Sequence, residues 1–489
     1  MALGIRDLAR HSAIYGFGSA LRAAGSFLLI PIYTHALSTA GFGILEILNR
    51  VADIILIVMF LGLRQAYIRF FFDQADEEWQ KRVTTTFMIF AVIMATTVAG
   101  AFFHFRIPIA VAIFDDPAVV PFLTLVIVWM PFQMLANIFM SYLQIRTRSV
   151  AYVAISIGLL ISLLLLSVLL LVYFELGVRG ALWASLLPIG ILGIVGTVYL
   201  FSWAGFRPSW PVFKGMLRFG LPYLPAAVLM YVISNADRYF LIRYASVDSV
   251  GLYALASKIG MVGTMLLMEP FMKVWSPFLF QTHMKSDGPR LIADVFRLFT
   301  VVSVYFALLV SVAAPIVVPF ISSEEFHLIW VYVPAICLAS VFYGIHHIAD
   351  AGILISKRTN YKPLIFGIGA ATAVATNGLL VPSLGIVGAC IAAVVTYAVL
   401  LFVTYVIAGR YYNIPVDMLR VFATFLIGGL CYGLSLAIRW ILPDNLGLLF
   451  SLVTLAIFPV LIWYAGILLE EERSSAWSYS RSLIARLSN

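Results

Sequence analysis

The sequence contains few charged residues. Only 11% of its 489 residues are Asp, Glu, Lys or Arg, and 63% are hydrophobic, whereas a soluble domain carries about 25% charged residues. A soluble protein of this size would have too little polar surface to stay dissolved. Apolar runs recur along the whole chain, each long enough to cross about 30 Å of hydrocarbon. Because these runs do not alternate in short segments, a β-barrel is excluded, and we predict an all-α polytopic membrane protein.

Cysteine is also scarce, and several functional motifs are missing. The three cysteines lie scattered within apolar segments, which excludes a disulfide framework and a cysteine metal site; they are Cys337, Cys390 and Cys431. The sequence has no phosphate-binding GxxxxGK[ST] loop, no dinucleotide motif and no zinc spacing, so we expect no cofactor, no metal and no ATP-driven pumping by this chain alone. No segment between apolar runs is long enough to fold as a domain, and we expect no enzyme activity.

The apolar runs predict about fourteen transmembrane helices, and basic residues predict their orientation. The predicted spans are about 12–36, 41–63, 83–104, 119–143, 150–174, 179–202, 218–242, 252–280, 298–320, 328–355, 361–381, 385–408, 421–442 and 446–469. With both termini on one side, the loops, tails and helix ends of that side carry 22 Lys and Arg residues and those of the opposite side carry 4. This asymmetry predicts that both termini are cytoplasmic. It also explains the net charge of +8 without a nucleic-acid partner.

Three landmarks in the first half recur in the second half at an offset of 208 to 210 residues. They pair Gly41 with Gly251, Arg148 with Arg358, and Leu176–Ala181 with Leu384–Ala389. The period contains six spans, so both copies cross the membrane in the same direction. We therefore predict two pseudo-symmetric six-helix lobes, residues 1–207 and 208–410, followed by two extra helices in 411–470 and an amphipathic cytoplasmic tail, 471–489. Such lobes are typical of transporters that work by alternating access.

Charged residues within the spans are candidates for a site, because each costs about 2.5–3.5 kcal/mol at the bilayer centre unless it faces protein or water. Arg22 lies deep in span 1 with no acid within a turn or two, so its partner is another helix or a ligand, and we favour the ligand. On span 2, Glu46, Asn49, Arg50 and Asp53 share one helical face. That pattern fits either internal ion pairing or a water-filled cavity.

Four further spans contribute polar candidates. Arg238 on span 7 and Lys258 on span 8 lie near the outer ends of their helices. Asp237 precedes Arg238 directly, but successive helical side chains point about 100° apart, so the two residues need not pair. Span 10 carries His346 and Asp350 at i,i+4, which fits a proton or cation relay as well as a local polar patch. On span 4, Gln133 and Asn137 suit sugar hydroxyls, and interhelical hydrogen bonds explain them equally well.

Several short motifs stand out along the chain: Phe27–Thr34 with Gly41–Leu45, Leu61–Leu63 with Arg69–Phe71, and Asp237–Phe240 with Val250–Tyr253. They resemble motifs of bacterial polysaccharide flippases in the multidrug/oligosaccharidyl-lipid/polysaccharide (MOP) exporter superfamily. The resemblance covers roughly residues 10 to 410. It implies a central cavity between two six-helix bundles and transfer of undecaprenyl-diphosphate-linked oligosaccharide from the inner to the outer leaflet of a bacterial cytoplasmic membrane.

The resemblance also implies site residues and partners. Arg22, Arg50 and Lys258 occupy places similar to the cavity arginines of related lipid II flippases, although position 258 is a lysine here and Glu46 and Asp53 compete for Arg50. The implied partners are the glycan carrier, membrane lipids, and polymerase and chain-length proteins of the same pathway. One rival interpretation is a multidrug exporter of the same fold, with Asp53, Asp237 and Asp350 binding organic cations. A polysaccharide polymerase or ligase is a weaker rival, because no sizeable outer loop is visible.

Overall fold

The computed structural model describes residue 25 and residues 27–74 and 76–468. Within this part the chain is helical throughout and contains no β-strand. Its helices, numbered in chain order, are α1 Phe27–Ala36, α2 Thr39–Phe60, α3 Leu63–Phe71, α4 Glu77–His104, α5 Arg106–Phe114, α6 Val120–Ile145, α7 Ser149–Ser167, α8 Gly177–Ala204, α9 Trp210–Gly220, α10 Leu224–Tyr244, α11 Val247–Gly260, α12 Val262–Thr282, α13 Gly288–Ile321, α14 Val333–Ala349, α15 Ala351–Ile355, α16 Lys362–Gly409, α17 Met418–Ile441, α18 Asp444–Ser451 and α19 Val453–Tyr464. The predicted all-α fold class is confirmed.

Ten helical stretches in the described residues are long and apolar enough to cross a membrane. These ten stretches cover eleven of the fourteen predicted spans, because the stretch Thr359–Gly409 contains two predicted spans. The two are separated at Gly385, whose backbone is non-helical, with φ 55° and ψ −127°. Predicted span 1 lies partly outside the described residues. Predicted span 2 corresponds to α2, which is long enough but carries three charges. Predicted span 8 is divided by a break between α11 and α12, which the sequence analysis did not anticipate.

The repeated landmarks adopt repeated backbone conformations. The basic turns have a left-handed residue just before the matched arginine, Thr147 with φ 53° and Lys357 with φ 56°. In both turns the arginine N–H closes a wide turn onto the preceding helix, at 2.9 Å and 3.0 Å. Gly177 and Gly385 likewise share φ values of 52° and 55°. Because the unusual conformations recur at the spacing of the sequence repeat, they support an internal duplication.

One compact unit contains the described residues up to Leu255 together with Ile321–Phe326 and Lys362–Ala392. Its most extensive helix pair is α6 with α8. Three small residues on α8, Gly190, Gly193 and Gly196, leave no room for a side chain against α6. Their neighbours there are Trp129, the carbonyl of Phe132, and Phe139. Small residues let helices approach closely in lipid, where van der Waals packing replaces the hydrophobic effect between helices.

A reciprocal contact joins the first turns of α2 and α11 in this unit. A Cβ at Gly43 would collide with the carbonyl oxygen of Val247, and a Cβ at Gly251 would collide with that of Thr39. The two glycines are 208 residues apart, and so are Thr39 and Val247, whose carbonyl groups they face, so the contact has a local two-fold relation. The Thr39 hydroxyl also donates a hydrogen bond of 2.5 Å to Asp248 Oδ1. Two copies of the repeated motif therefore pack directly against one another.

The second compact unit contains Ala256–Phe320, His327–Tyr361 and the described residues from Ala393 onward. An aromatic core holds it together: Phe271 packs 5.6 Å from Trp275 and 4.5 Å from Phe299, measured between ring centroids. Tyr305 on α13 packs 5.6 Å from Phe458 on α19. The last two predicted spans, α17 and α18–α19, thus share a hydrophobic core with α12–α15.

Gly251→Ala should destabilise the protein, because the added methyl group meets backbone rather than a movable side chain. Overpacking of this kind costs about 1–3 kcal/mol. We expect a clear fall in the apparent unfolding temperature, measured by size-exclusion fluorescence of the detergent-solubilised protein after heating. Gly100→Ala on α4 is the matched control, since nothing lies within 4 Å of its Cβ position. An equal effect of the two substitutions would contradict the close approach.

Candidate functional site

A buried ion-pair cluster lies between α2, α10 and α11 in the first unit. Its centre is Arg238, which is 7% exposed. The guanidinium lies 2.9 Å from Asp237 Oδ1 and 3.3 Å from Glu46 Oε1, and it also donates to the Ser234 carbonyl at 3.2 Å. Both acids are buried as well, at 9% for Asp237 and 3% for Glu46. The charges are therefore satisfied within the protein, as a low-dielectric position requires.

Asp237 and Arg238 do pair, although the sequence analysis did not require it. The helical turn separates their Cβ directions, but the long arginine side chain reaches back to the neighbouring carboxylate. Tyr253 on α11 donates a hydrogen bond of 2.6 Å to the other oxygen, Asp237 Oδ2. The Tyr253 ring also lies 5.4 Å from the Arg238 guanidinium, a cation–π distance. Asp237 is thus held on both sides.

The second half of the cluster is more exposed and is centred on Arg50. Its Nε lies 3.2 Å from Glu46 Oε1 and its Nη1 lies 2.8 Å from Asp53 Oδ2. The side chain of Arg50 is 28% exposed and that of Asp53 is 46% exposed. Glu46 accordingly bridges the two arginines, one buried and one accessible. Of the two interpretations of this face of α2, internal ion pairing and a water-filled cavity, the ion pairs are present.

Two tyrosines and an amide connect α10 to the Arg50 side of the cluster. Tyr231 donates a hydrogen bond of 2.7 Å to the Arg50 carbonyl and lies 2.7 Å from the hydroxyl of Tyr239. Asn235 Oδ1 lies 3.4 Å from Arg50 Nη1, and its amide donates to the Tyr231 carbonyl at 2.9 Å. Sequence reasoning missed these residues. The spacing of four between Tyr231, Asn235 and Tyr239 was the available signal, because it places them on one helical face.

The cluster combines three carboxylates with two guanidiniums, so its formal charge is −1. A fully buried arrangement with that charge would be costly, and Asp53 is the acid with the most exposed side chain, at 46%. The cluster therefore has two parts: a buried part around Arg238, and a partly exposed part formed by Arg50 and Asp53. In the partly exposed part, Arg50 can exchange the Asp53 carboxylate for another anion, and Asp53 can bind a proton or a cation.

The other predicted site residues lie in different places. Asn49, beside Arg50 on α2, is exposed, and Gln133 and Asn137 on α6 are half-buried in the same unit. Lys258 is exposed and belongs to the second unit. Arg22 lies outside the described residues. The roles of these residues stay predictions.

His346 and Asp350 lie at the end of α14 and are both buried, at 5% and 7% exposure. Nδ1 of His346 lies 2.9 Å from the hydroxyl oxygen of Thr404 on α16. That hydroxyl lies 2.8 Å from the Leu400 carbonyl as well. With its proton donated to this carbonyl, Thr404 accepts from His346, and the histidine is protonated at Nδ1. The described residues contain no group of His, Cys, Asp and Glu side chains that could hold a metal ion.

Comparison with solved structures identifies the fold class. The lipid II flippase MurJ, in an inward closed conformation, matches with a TM-score of 0.73 at 12% identity, over 97% of this chain and 100% of that one. An inward-facing multidrug resistance MATE transporter of the MOP superfamily matches with a TM-score of 0.66 at 15% identity, over 82% and 95%. A Vibrio cholerae MATE transporter, VcmN, solved as a mutant, gives 0.55 at 15%, over 83% and 97%. The chain is a multi-pass membrane protein with the MOP transporter fold.

The sequence also shows to which family within this class of membrane proteins the chain belongs. The chain belongs to the polysaccharide biosynthesis protein family, whose sequence pattern matches residues 8–283. The matched range includes every residue of the ion-pair cluster. No curated protein matches the chain.

Removing the buried arginine should destabilise the protein far more than removing an exposed one. Arg238→Met leaves Asp237 and Glu46 buried with a net negative charge, and breaking a buried pair in this way costs about 3–5 kcal/mol. We expect a large drop in apparent unfolding temperature in detergent. Arg243→Met is the matched control on the same helix, because its ion pair with Asp115 is exposed and such pairs contribute little. Similar unfolding temperatures for the two variants would contradict the structural role of Arg238.

Proposed function

We propose that this protein is a flippase for undecaprenyl-diphosphate-linked oligosaccharide, a repeat unit of a surface polysaccharide. It moves this lipid from the cytoplasmic to the periplasmic leaflet of a bacterial inner membrane by alternating access. The observation that carries the proposal is the polysaccharide biosynthesis family match over residues 8–283 in a chain with the MOP transporter fold. The fold is shared with transporters, and the family is assigned to polysaccharide biosynthesis. Export of the glycan precursor is the simplest function that accounts for both.

The chemistry of the substrate supports this function. A diphosphate–sugar head group cannot cross hydrocarbon unaided, because burying its charges costs many kcal/mol, whereas its prenyl chain can stay in the lipid. The protein must therefore offer cations and amides on a hydrated path. Arg50 is partly accessible, and Asn49 next to it is exposed. A diphosphate oxygen that replaced Asp53 on Arg50 would break a partly exposed ion pair and form another in its place, which costs less than the same exchange at the buried Arg238–Asp237 pair.

Arg22 and Lys258 complete the proposed set of diphosphate ligands. Arg22 lacks an acid nearby in its own span, and Lys258 is an exposed cation on α11. Arg238 is assigned to the structural part of the cluster, because its guanidinium is already held by two buried carboxylates. Gln133 and Asn137 are half-buried amides of the kind that hydrogen-bond sugar hydroxyls.

A second candidate function, export of organic cations, is favoured by the excess of carboxylate in the ion-pair cluster. Three acids surround two arginines there, and Asp53 is 46% exposed. A cationic drug could pair with that carboxylate. The two functions differ in the charge of the ligand, and therefore in which accessible side chains are essential: Arg22 and Arg50 for the diphosphate, and Asp53 for a cation.

A deletion strain distinguishes these functions. We expect loss of surface polysaccharide, accumulation of undecaprenyl-linked oligosaccharide on the cytoplasmic leaflet, and unchanged tolerance of cationic drugs. The leaflet is read by enzymatic labelling of the glycan in sealed inverted and right-side-out vesicles. Heightened drug sensitivity without accumulation would favour the exporter instead.

Arg22→Ala and Arg50→Gln, returned to the deletion strain, should each abolish or strongly reduce export, because the diphosphate loses a charge-assisted contact worth about 1.5–3 kcal/mol. Membrane levels of the proteins should stay close to that of the unmodified chain, as judged by immunoblotting of isolated membranes. Arg243→Gln is the control, since it removes an exposed arginine from α10. Normal export by Arg22→Ala at equal protein level would overturn the diphosphate assignment.

A further inference from the structure

The second unit contains a cavity of about 250 Å³ that the proposed transport path does not use. It lies where four chain segments meet: the end of α13, the turn before α14, the end of α17 and the helix α18. The residues lining it are Pro315, Pro319, His327, Leu328, Trp330, Arg439 and Leu448. The sequence assigns this end of the helices to the outer side of the membrane, because Arg439 is among the 4 basic residues on that side.

Arg439 is the only permanent cation among the residues that line this cavity. Its guanidinium lies 4.4 Å from the centre of the Trp330 ring. Among the described residues it makes no ion pair with an acid, in contrast to Arg50, Arg238 and Arg297. Stacking occupies the flat face of the guanidinium, so its N–H edge stays available for a planar or tetrahedral anion. A partly buried arginine without an acidic partner is expected to recruit an anion.

The walls of the cavity fit a phosphate group attached to a lipid. His327 adds an imidazole to the polar side. The apolar side is formed by two prolines and two leucines, and Leu328 is 74% exposed. Trp330 has the mixed polar and apolar character that is favoured at the membrane–water interface. A free ion would use only the basic half of this surface, whereas a lipid with a phosphate head group and acyl chains would use both.

We propose that this cavity binds the phosphate head group of a membrane lipid in the leaflet at the Arg439 end of the helices. Arg439 supplies the charge-assisted hydrogen bonds and Trp330 holds the guanidinium in position. The phosphate can come from a bulk anionic phospholipid or from a lipid-linked diphosphate, since both present the same oxygens. The proposal stands independently of transport, because none of the residues that line the cavity belongs to the proposed set of diphosphate ligands.

Lipid binding to the full-length protein tests this site directly. The purified chain in a zwitterionic detergent is titrated with phosphatidic acid, with phosphatidylglycerol and with diacylglycerol, and bound lipid is counted by native mass spectrometry. We expect the two phosphate lipids to bind and diacylglycerol, which lacks the phosphate, to fail. Arg439→Gln should weaken their binding about tenfold or more, as expected for the loss of a charge-assisted contact.

Arg106→Gln is the matched control. Arg106 also stacks on an aromatic ring, with its guanidinium 4.0 Å from the centre of Phe103, and it is assigned to the same side of the membrane. The cavity formed by its chain neighbours Phe105 and Pro108 is lined only by apolar residues. Phosphate-lipid binding should be unchanged in this variant. Equal losses in both variants, or binding of diacylglycerol as strong as that of phosphatidic acid, would overturn the proposal.

Competition identifies the source of the phosphate. Undecaprenyl diphosphate that displaces phosphatidylglycerol from the unmodified protein, but not from Arg439→Gln, would assign the site to the carrier lipid. Failure to compete would assign it to bulk phospholipid. Inorganic pyrophosphate that competes as well as either lipid would show that the apolar wall contributes nothing, and would contradict a lipid site. Apparent unfolding temperatures without lipid confirm that the variants are folded.

Discussion

The structure depends on the requirement that a charge inside an apolar helix must have a partner. Glu46 meets this requirement for two arginines at once, at 3.2 Å from Arg50 and 3.3 Å from Arg238. One acid on α2 therefore fixes the position of α10, and Tyr253 fixes α11 through the same group of charges. In lipid, hydrophobicity does not drive helices together, so such polar contacts and close glycine packing decide which helices are neighbours.

The close glycine packing and the ion-pair cluster lie one helical turn apart on the same helices. Gly43 and Gly251 bring the first turns of α2 and α11 into backbone contact, and Glu46 begins the ion-pair cluster one turn further along α2. A bulkier residue at either glycine would separate the helices that share the cluster. The contact is reciprocal, because each side brings both a glycine and a backbone carbonyl to it. This is the geometry that the predicted internal duplication leads one to expect.

The sequence was sufficient for the fold class and for the charged face of α2, because hydrophobic length and helical periodicity are local properties. Glu46, Arg50 and Asp53 pair as the i,i+3 and i,i+4 spacings allow. The partners on α10 and α11 could not be predicted, since no local pattern specifies which helix faces which. Tyr253, sixteen residues after Asp237, carries no spacing signal at all. The break of span 8 was also missed, because the apolar composition continues across Met261.

The division of the cluster into a buried half and an accessible half has a consequence for transport. The pair Arg238–Asp237 is shielded from water, so exchanging its partners would leave a buried charge alone at a cost of several kcal/mol. The Arg50–Asp53 pair is partly exposed, so exchanging its partners costs less. Under the proposed function, a charged ligand would therefore act on Arg50 and Asp53, while Glu46, held by Arg238, keeps the Arg50 side chain in place. The buried pair would then supply rigidity, and the accessible pair the reversible step of the proposed transport cycle.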